Sequence, residues 1–331
     1  VKRKLLLGFG VTVLGAGAAG LAYGLVHAHS YRLRRRSVLT PGDVAPVRVL
    51  HISDTHALAR HSKRIDFLRA LGDTKPDLVV VTGDILAEDQ AREPVLDALG
   101  PLLDLPGVFV FGSNDYYAPV FKNPFRYLLG PSNRGLNGKA SKHNERLDWR
   151  ELRSALTRRG WVDLNNGRAR LEVAGWTLDF VGVDDPHIHY NRFPEKQTWE
   201  EPEGPHVRIG VTHAPYTGIL DEMVADGCSM IFAGHTHGGQ ICLPGGRALV
   251  SNCDLDPALA SGLFPWPMEE NSDAGEPVHI TGDGAVIVKD KPGSAWVQVS
   301  AGIGTATYMP LRTFCPPEAI LIDVVPVGGA S

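Results

Sequence analysis

Short apolar runs recur along the chain at spacings that leave room for a helix between them. Val49 to Ile52, Leu78 to Val81 and Val108 to Phe111 are each too brief for a helix and rich in β-branched or aromatic residues. Such runs predict strands buried on both faces. Between the first two, Ser62 to Asp73 carries Ile65, Phe67, Leu68 and Leu71, a helical spacing with one buried face. Pro94 to Leu103 repeats that amphipathic pattern before the third run. The resulting β-α-β-α-β order implies a parallel sheet with right-handed crossovers. Further strands are expected at Trp161 to Leu164, Arg170 to Val173, Thr177 to Val183, Val207 to Val211, Met230 to Ala233, Gly246 to Val250, Trp296 to Ser300 and Ala319 to Val325. Helices are expected at Leu147 to Arg159 and Thr217 to Asp226. Two stretches break the rhythm. Tyr116 to Glu145, rich in Pro, Gly and aromatics, reads as a recognition loop or a surface excursion. Pro265 to Gly284 reads as an exposed polar insertion.

The N-terminus has a different pattern. Leu5 to Val26 is a stretch of 22 residues without a charge. It is long enough to span a ~30 Å hydrocarbon core. Lys2-Arg3-Lys4 precedes it, and Tyr31 to Arg36 adds an aromatic and more arginines behind it. This predicts a membrane anchor over residues 1–36, with an exported chain cleaved near Ala28 as the alternative. Basic residues flank both sides, so the orientation stays open. Ser37 to Val47, with Pro41 and Pro46, reads as a linker. One domain then follows over residues 48–326, with a short tail at 327–331.

Chemistry-bearing residues gather where the apolar runs end. Asp54-Thr55-His56, Gly83-Asp84, Gly112-Ser113-Asn114-Asp115, Val211-Thr212-His213 and Gly234-His235-Thr236-His237 each follow an expected strand. Strand ends of one sheet lie side by side, so these residues can converge. A D-x-H or a G-D alone says little. His235-x-His237 between glycines is a stronger signal, because two imidazoles can enter a site with little backbone in the way. Oxygen and nitrogen donors without thiolate suit Mn, Fe or Zn, and their number suits two ions. Asp84 can bridge the pair at the ~3.5–4 Å spacing of two-metal hydrolysis.

Charge and cysteine content narrow the picture further. A net charge of −4 leaves no electrostatic footprint for nucleic acid. Cys228, Cys242, Cys253 and Cys315 show no zinc-ribbon spacing. They are expected as buried thiols, or with one disulfide among Cys242, Cys253 and Cys315.

The five blocks resemble, in order and surroundings, the calcineurin-like metallophosphoesterase family, whose pattern is D-x-H, G-D, G-N-H-[DE], a later H and G-H-x-H. The resemblance runs from Arg48 to Val325. Ala301-Gly302-Ile303-Gly304, Pro310-Leu311-Arg312 and Cys315-Pro316-Pro317-Glu318 are similar to its bacterial membrane-associated, YkuE-like branch. The resemblance implies a four-layer αββα sandwich. It implies that Asp54, His56, Asp84 and His237 hold one metal, and that Asp84, Asn114, His213 and His235 hold a second and act in catalysis. It implies hydrolysis of a phosphodiester, phosphomonoester or pyrophosphate bond by a dimetal-bridging hydroxide, on a substrate that the apolar segment suggests is lipid-linked or part of the cell envelope.

One block departs from the family. Aligned without a gap, Ser113 stands on the ligand Asn and Asn114 on the His. Either Asn114 shifts to serve the second metal, or Ser113 or water does. The usual proton donor is absent in both cases, so no general acid is assigned. Asp115 is expected to orient a ligand or to be a plain turn residue. Arg312 is expected to meet substrate phosphate or to form a structural ion pair. The rival functions are a binding module that keeps the fold without turnover and a one-metal hydrolase.

Overall fold

The computed structural model describes residues 17–41, 45–120, 145–268, 279–287 and 293–327. Residues 17–27 are helical (α1). The strands are β1 Arg32–Pro41, β2 Val47–Ile52, β3 Leu78–Thr82, β4 Gly107–Val110, β5 Val162–Asp163, β6 Gly167–Val173, β7 Trp176–Gly182, β8 His206–Val211, β9 Met230–Ala233, β10 Gly262–Trp266, β11 Gly284–Ile287, β12 Ala295–Val299 and β13 Glu318–Val327. The remaining helices are α2 Ser62–Ala70, α3 Arg92–Leu99, the single turn α4 Ser113–Tyr116, α5 Trp149–Arg158 and α6 Thr217–Ala225.

These strands form two sheets. The first has the order β11-β1-β13-β2-β3-β4-β5 and the second β10-β12-β9-β8-β7-β6. β2, β3, β4 and β5 run parallel, as the β-α-β opening requires, and so do β7, β8 and β9. Alternate residues of each run face opposite ways. Val80, Val108, Leu178, Phe180, Ile209 and Phe232 fill the layer between the sheets. Val79, Val81 and Phe109 pack outward on Leu68, Val95 and Leu156 of the helices. Ile231 and Val297 meet Leu220 and Met223 of α6 on the other side. The layers are therefore helix, sheet, sheet, helix. Because β3 and β4 are covered on both faces, their sequences are continuously rather than alternately apolar.

Two sequence expectations change. The end of the basic flank expected up to Arg36 and the start of the linker expected over 37–47 form β1, paired in parallel with β13 from Arg32↔Glu318 to Pro41↔Val327. The arginines that look like a membrane flank are strand side chains. Arg34 pairs with Glu318 at 3.3 Å, while Arg36 is buried and donates to Gln298 of the second sheet and to the carbonyl of Gly282. Gly246 to Val250 is no strand; it contributes one isolated bridge, Cys242↔Ala248, because Gly245 and Gly246 at φ 91° and 82° turn the chain sharply. The four cysteines are free thiols.

Of the apolar stretch Leu5 to Val26, residues 1–16 lie outside the described residues. No helix among the described residues is long and apolar enough to cross a membrane. Most of the Tyr116 to Glu145 loop, residues 121–144, also lies outside them.

Candidate metal centre

Each sequence-predicted site residue sits just past the end of a strand. β2 ends at Ile52 and is followed by Asp54 and His56. β3 leads to Asp84, β4 to Asn114, β8 to His213, and β9 to His235 and His237. The structure brings all seven together. Asp84 Oδ2 lies 3.3 Å from His56 Nε2 and 3.5 Å from His213 Nε2. His56 and His237 face each other through Nε2 at 3.2 Å, and His235 Nδ1 is 3.3 Å from His213 Nε2. Asp54 Oδ1 lies 3.8 Å from His237 Nε2. The donor atoms of Asp54, His56 and His237 lie within 4.8 Å of one another, as do those of Asp54, Asp84 and His213.

The local backbone is unusual. Asp54, His56, Asp84, His235 and His237 all have positive φ, between 42° and 68°. Left-handed backbone at a non-glycine residue is strained and clusters at functional sites. Neighbouring glycines make the approach possible. A Cβ at Gly234 would collide with Ser53 Oγ and Asp54 Oδ2, and one at Gly112 with Asp84 Oδ1 and the His213 ring.

Hydrogen bonds set which ring nitrogen faces the centre. His213 Nδ1 donates to the Thr82 carbonyl at 2.6 Å, leaving Nε2 turned inward. His235 Nε2 donates to the Asn252 carbonyl at 3.3 Å, leaving Nδ1 inward. Asp115 is no plain turn residue. Its carboxylate accepts from the amides of Ile85, Leu86 and Gly112, tying the Asp84 turn to the Asn114 turn. At the divergent block it is Asn114, not Ser113, whose side chain reaches Asp84, with Nδ2 2.7 Å from Oδ2.

Arg312 takes neither expected role. It is fully buried, donates to the carbonyls of His237, Ala301, Gly302 and Gly304, and clamps the loop behind His237. Arg64 does the same for the carbonyls of Thr55 and His56.

The electrostatics are those of a crowded buried site. Burial, reinforced by Asp84, pushes the Asp54 carboxyl up to about 6. Burial also drives the His56 imidazole down to about 4 and those of His235 and His237 well below the usual value. At His213 burial acts the same way, but the carboxylates of Asp84, Asp185 and Asp54 outweigh it and raise the imidazole to about 10. Burial opposes ionisation of Asp84 too, yet His213, His56 and the Asn114 donors hold its carboxyl below the ordinary value.

Asp54 Oδ1 and His56 Nδ1 are buried with no hydrogen-bond partner. A buried carboxylate oxygen that faces two imidazoles, His56 and His237, without a donor suits a site for a cation. The residues fit divalent metal.

Sequence reasoning missed a sixth strand end. β7 leads into Asp184-Asp185-Pro186-His187. The His187 ring packs on His235 at 4.4 Å between centroids, and its Nδ1 lies 3.1 Å from the Tyr216 hydroxyl. Asp185 is buried, accepts from the His187 amide at 2.7 Å, and is raised to about 7, chiefly by burial. The apolar run Thr177 to Val183 was the signal that could have found them.

The sequence profile described as calcineurin-like phosphoesterase matches residues 47–239, more than half of the chain. The chain belongs to that family. The matched span ends at Gly239, just beyond the last candidate ligand, so the calcineurin-like domain contains every strand end that builds the centre. The chain is 26% identical over 204 residues to the metallophosphoesterase YkoQ of Bacillus subtilis, covering 60% of this chain and 63% of that protein. It is 26% identical over 258 residues to the UDP-2,3-diacylglucosamine pyrophosphatase LpxG of Chlamydia trachomatis, covering 67% of this chain and 74% of that one. The match thus spans less than two thirds of YkoQ's own length. A solved phosphopantetheinyl hydrolase of Mycobacterium tuberculosis is similar at a TM-score of 0.36 and 11% identity, over 77% of this chain and 97% of that one.

Proposed function

We propose that the protein is a metal-dependent hydrolase of phosphodiester, phosphomonoester or pyrophosphate bonds. The observation that carries this is the position of Asp84. Its Oδ2 reaches both His56 and His213, so one carboxylate joins two groups of ligands. Asp54, His56, Asp84 and His237 would hold one divalent ion, and Asp84, Asn114, His213 and His235 the other. Such a pair supplies a water of lowered pKa and offsets charge on the phosphoryl oxygens.

The chain's own contribution is position. Thr82 and Asn252 fix the ring orientations of His213 and His235, and Asp115 fixes the turns that present Asp84 and Asn114. Arg64 and Arg312 hold the strained loops from behind. Fixed ligands of this kind need no reorganisation as charge develops on the substrate.

A lipid-linked or cell-envelope substrate, with the chain held at a membrane through residues 5–26, is the finer reading. It is supported by the similarity to LpxG and by the uncharged N-terminal stretch. The test of the main reading is hydrolysis of bis-p-nitrophenyl phosphate by the manganese-loaded protein, with Asp84→Asn as control. Activity that Asp84→Asn abolishes supports it. A folded, metal-loaded chain that releases no nitrophenol sinks it and favours a non-catalytic binding module.

A further inference from the structure

Beside the centre, Tyr116, Tyr117, Trp149, Tyr190, Arg146 and Arg150 line a crevice of about 100 Å³. That is roughly three waters at ~30 Å³ each, the scale of one heteroaromatic ring. Tyr116 meets Tyr190 at 5.2 Å and 71°, and Trp149 at 5.4 Å and 66°. These rings pack edge to face, so each contact covers the face of one ring and leaves that of the other open. The hydroxyls of Tyr117 and Tyr190 hydrogen-bond each other, and the Tyr116 hydroxyl donates to Asp184. The walls are therefore held in place rather than loosely collapsed.

Two cations complete the crevice. Arg150 lies 4.6 Å over the Trp149 ring and Arg146 lies 5.7 Å over Tyr117. Neither makes an ion pair with a described carboxylate, whereas Arg153 and Arg158, on α5 with Arg150, do. Guanidinium groups set on aromatic faces are suited to an anion attached to a flat ring. Hydroxyls and two charges make the crevice a poor host for an acyl chain.

Its location gives the crevice a role. Tyr116 lies two residues after Asn114 on α4. Tyr190 lies three residues after His187, whose ring packs on His235. One wall is thus joined through the chain to Asn114 and the other to His187, which packs on His235.

We propose that this crevice is a subsite for the aromatic ring of a phosphate ester, as in a nucleotide or an aryl phosphate, with Arg146 and Arg150 meeting its negative charge. The ring stacks on Tyr190, and the phosphate attached to it extends toward Asn114. The proposal rests on the phosphoesterase reading for the link to turnover; binding of the ring does not.

The test is calorimetric titration of the full chain, with its metals and again after chelation, using UMP, AMP, phenyl phosphate and ribose 5-phosphate. UMP and AMP are expected to bind roughly tenfold or more tightly than ribose 5-phosphate, the usual worth of a base–aromatic stack. Tyr190→Ala and Arg150→Ala should each weaken that binding about tenfold, while Tyr190→Phe keeps it within about twofold. Phenyl phosphate binding as well as UMP keeps the subsite and assigns it to aryl esters. Ribose 5-phosphate binding as tightly as UMP, or full affinity in Tyr190→Ala, overturns it. A chain that binds UMP but hydrolyses no ester fails the proposed function alone. One that hydrolyses bis-p-nitrophenyl phosphate yet ignores the ring fails the subsite alone.

Discussion

Asn114 grips Asp84 twice, donating its backbone amide to Oδ1 at 2.8 Å and its side-chain amide to Oδ2 at 2.7 Å. The residue that replaces the family's histidine therefore acts on the carboxylate shared by both ligand groups. Asn114→Ala keeps the backbone bond and loses the other. Removing a partner that orients a ligand typically costs about 10–100-fold, which is the least expected of a side chain also proposed as a ligand. We expect kcat on bis-p-nitrophenyl phosphate to fall by about that factor, with circular dichroism unchanged. Wild-type kcat in Asn114→Ala would show that the second bond is idle.

Metal should stabilise the fold through the same carboxylate. Chelation leaves buried carboxylates and imidazoles facing one another without the cation. Restoring Mn at about 100 times its dissociation constant should add roughly 2.7 kcal/mol. A thermal melt with and without chelator reads this as a rise in Tm. Asp84→Asn should flatten the difference; an equal rise in both proteins would place the binding elsewhere.

Arg312 is a buried cation whose partners are carbonyls rather than carboxylates. Arg312→Met would strand those oxygens, at a cost of about 3 kcal/mol on the scale of charge-assisted bonds. Arg312→Lys should rescue little, because a point charge cannot span the fork. Urea unfolding of the two variants measures both expectations. Near wild-type stability in Arg312→Met would remove the clamp.

Gly234 packs its α-carbon against Ser53 and Asp54. Gly234→Ala forces a methyl into that contact, and overpacking of this kind costs about 1–3 kcal/mol. Since the displaced group is Asp54, metal affinity should fall with stability. Calorimetry with Mn would detect a dissociation constant raised by about tenfold or more.

His51 provides a pH test outside the ligand set. It is buried in β2, and burial drives its imidazole from 6.5 down to about 3. Above the ordinary value both states are neutral. As pH falls below it, the unfolded chain takes up a proton that the folded chain refuses. Stability must then drop by up to about 1.4 kcal/mol per pH unit until His51 itself protonates. His51→Gln should remove about one proton from the slope of stability between pH 6 and pH 4. An unchanged slope would mean that other groups set the acid limit.

The sheet cores and the site were legible because they obey simple patterns. Leu78 to Thr82 is a strand because Val79 and Val81 face helices while Leu78 and Val80 face the other sheet. Asp84 follows it because the chain turns at Gly83, with φ of 86°. β1 was not legible, since Arg34 and Arg36 are charged and their partners Glu318 and Gln298 are more than 250 residues away. The same blindness hid Arg64 and Arg312, whose partners are backbone carbonyls with no sequence signature. Asp185 and His187 follow β7, a strand the sequence does predict, and they repeat the D-x-H spacing of Asp54 and His56.

α1 is joined to β1 by residues 28–31 alone, a tether of about 14 Å when fully stretched. The Gly24 carbonyl accepts the Arg312 amide at 3.1 Å, and the Arg312 side chain holds the carbonyl of His237. One residue thus touches both a surface helix and the backbone of a candidate metal ligand. With so little slack, α1 cannot stray far from the His237 loop, and the Arg312 that serves the site also pins the helix.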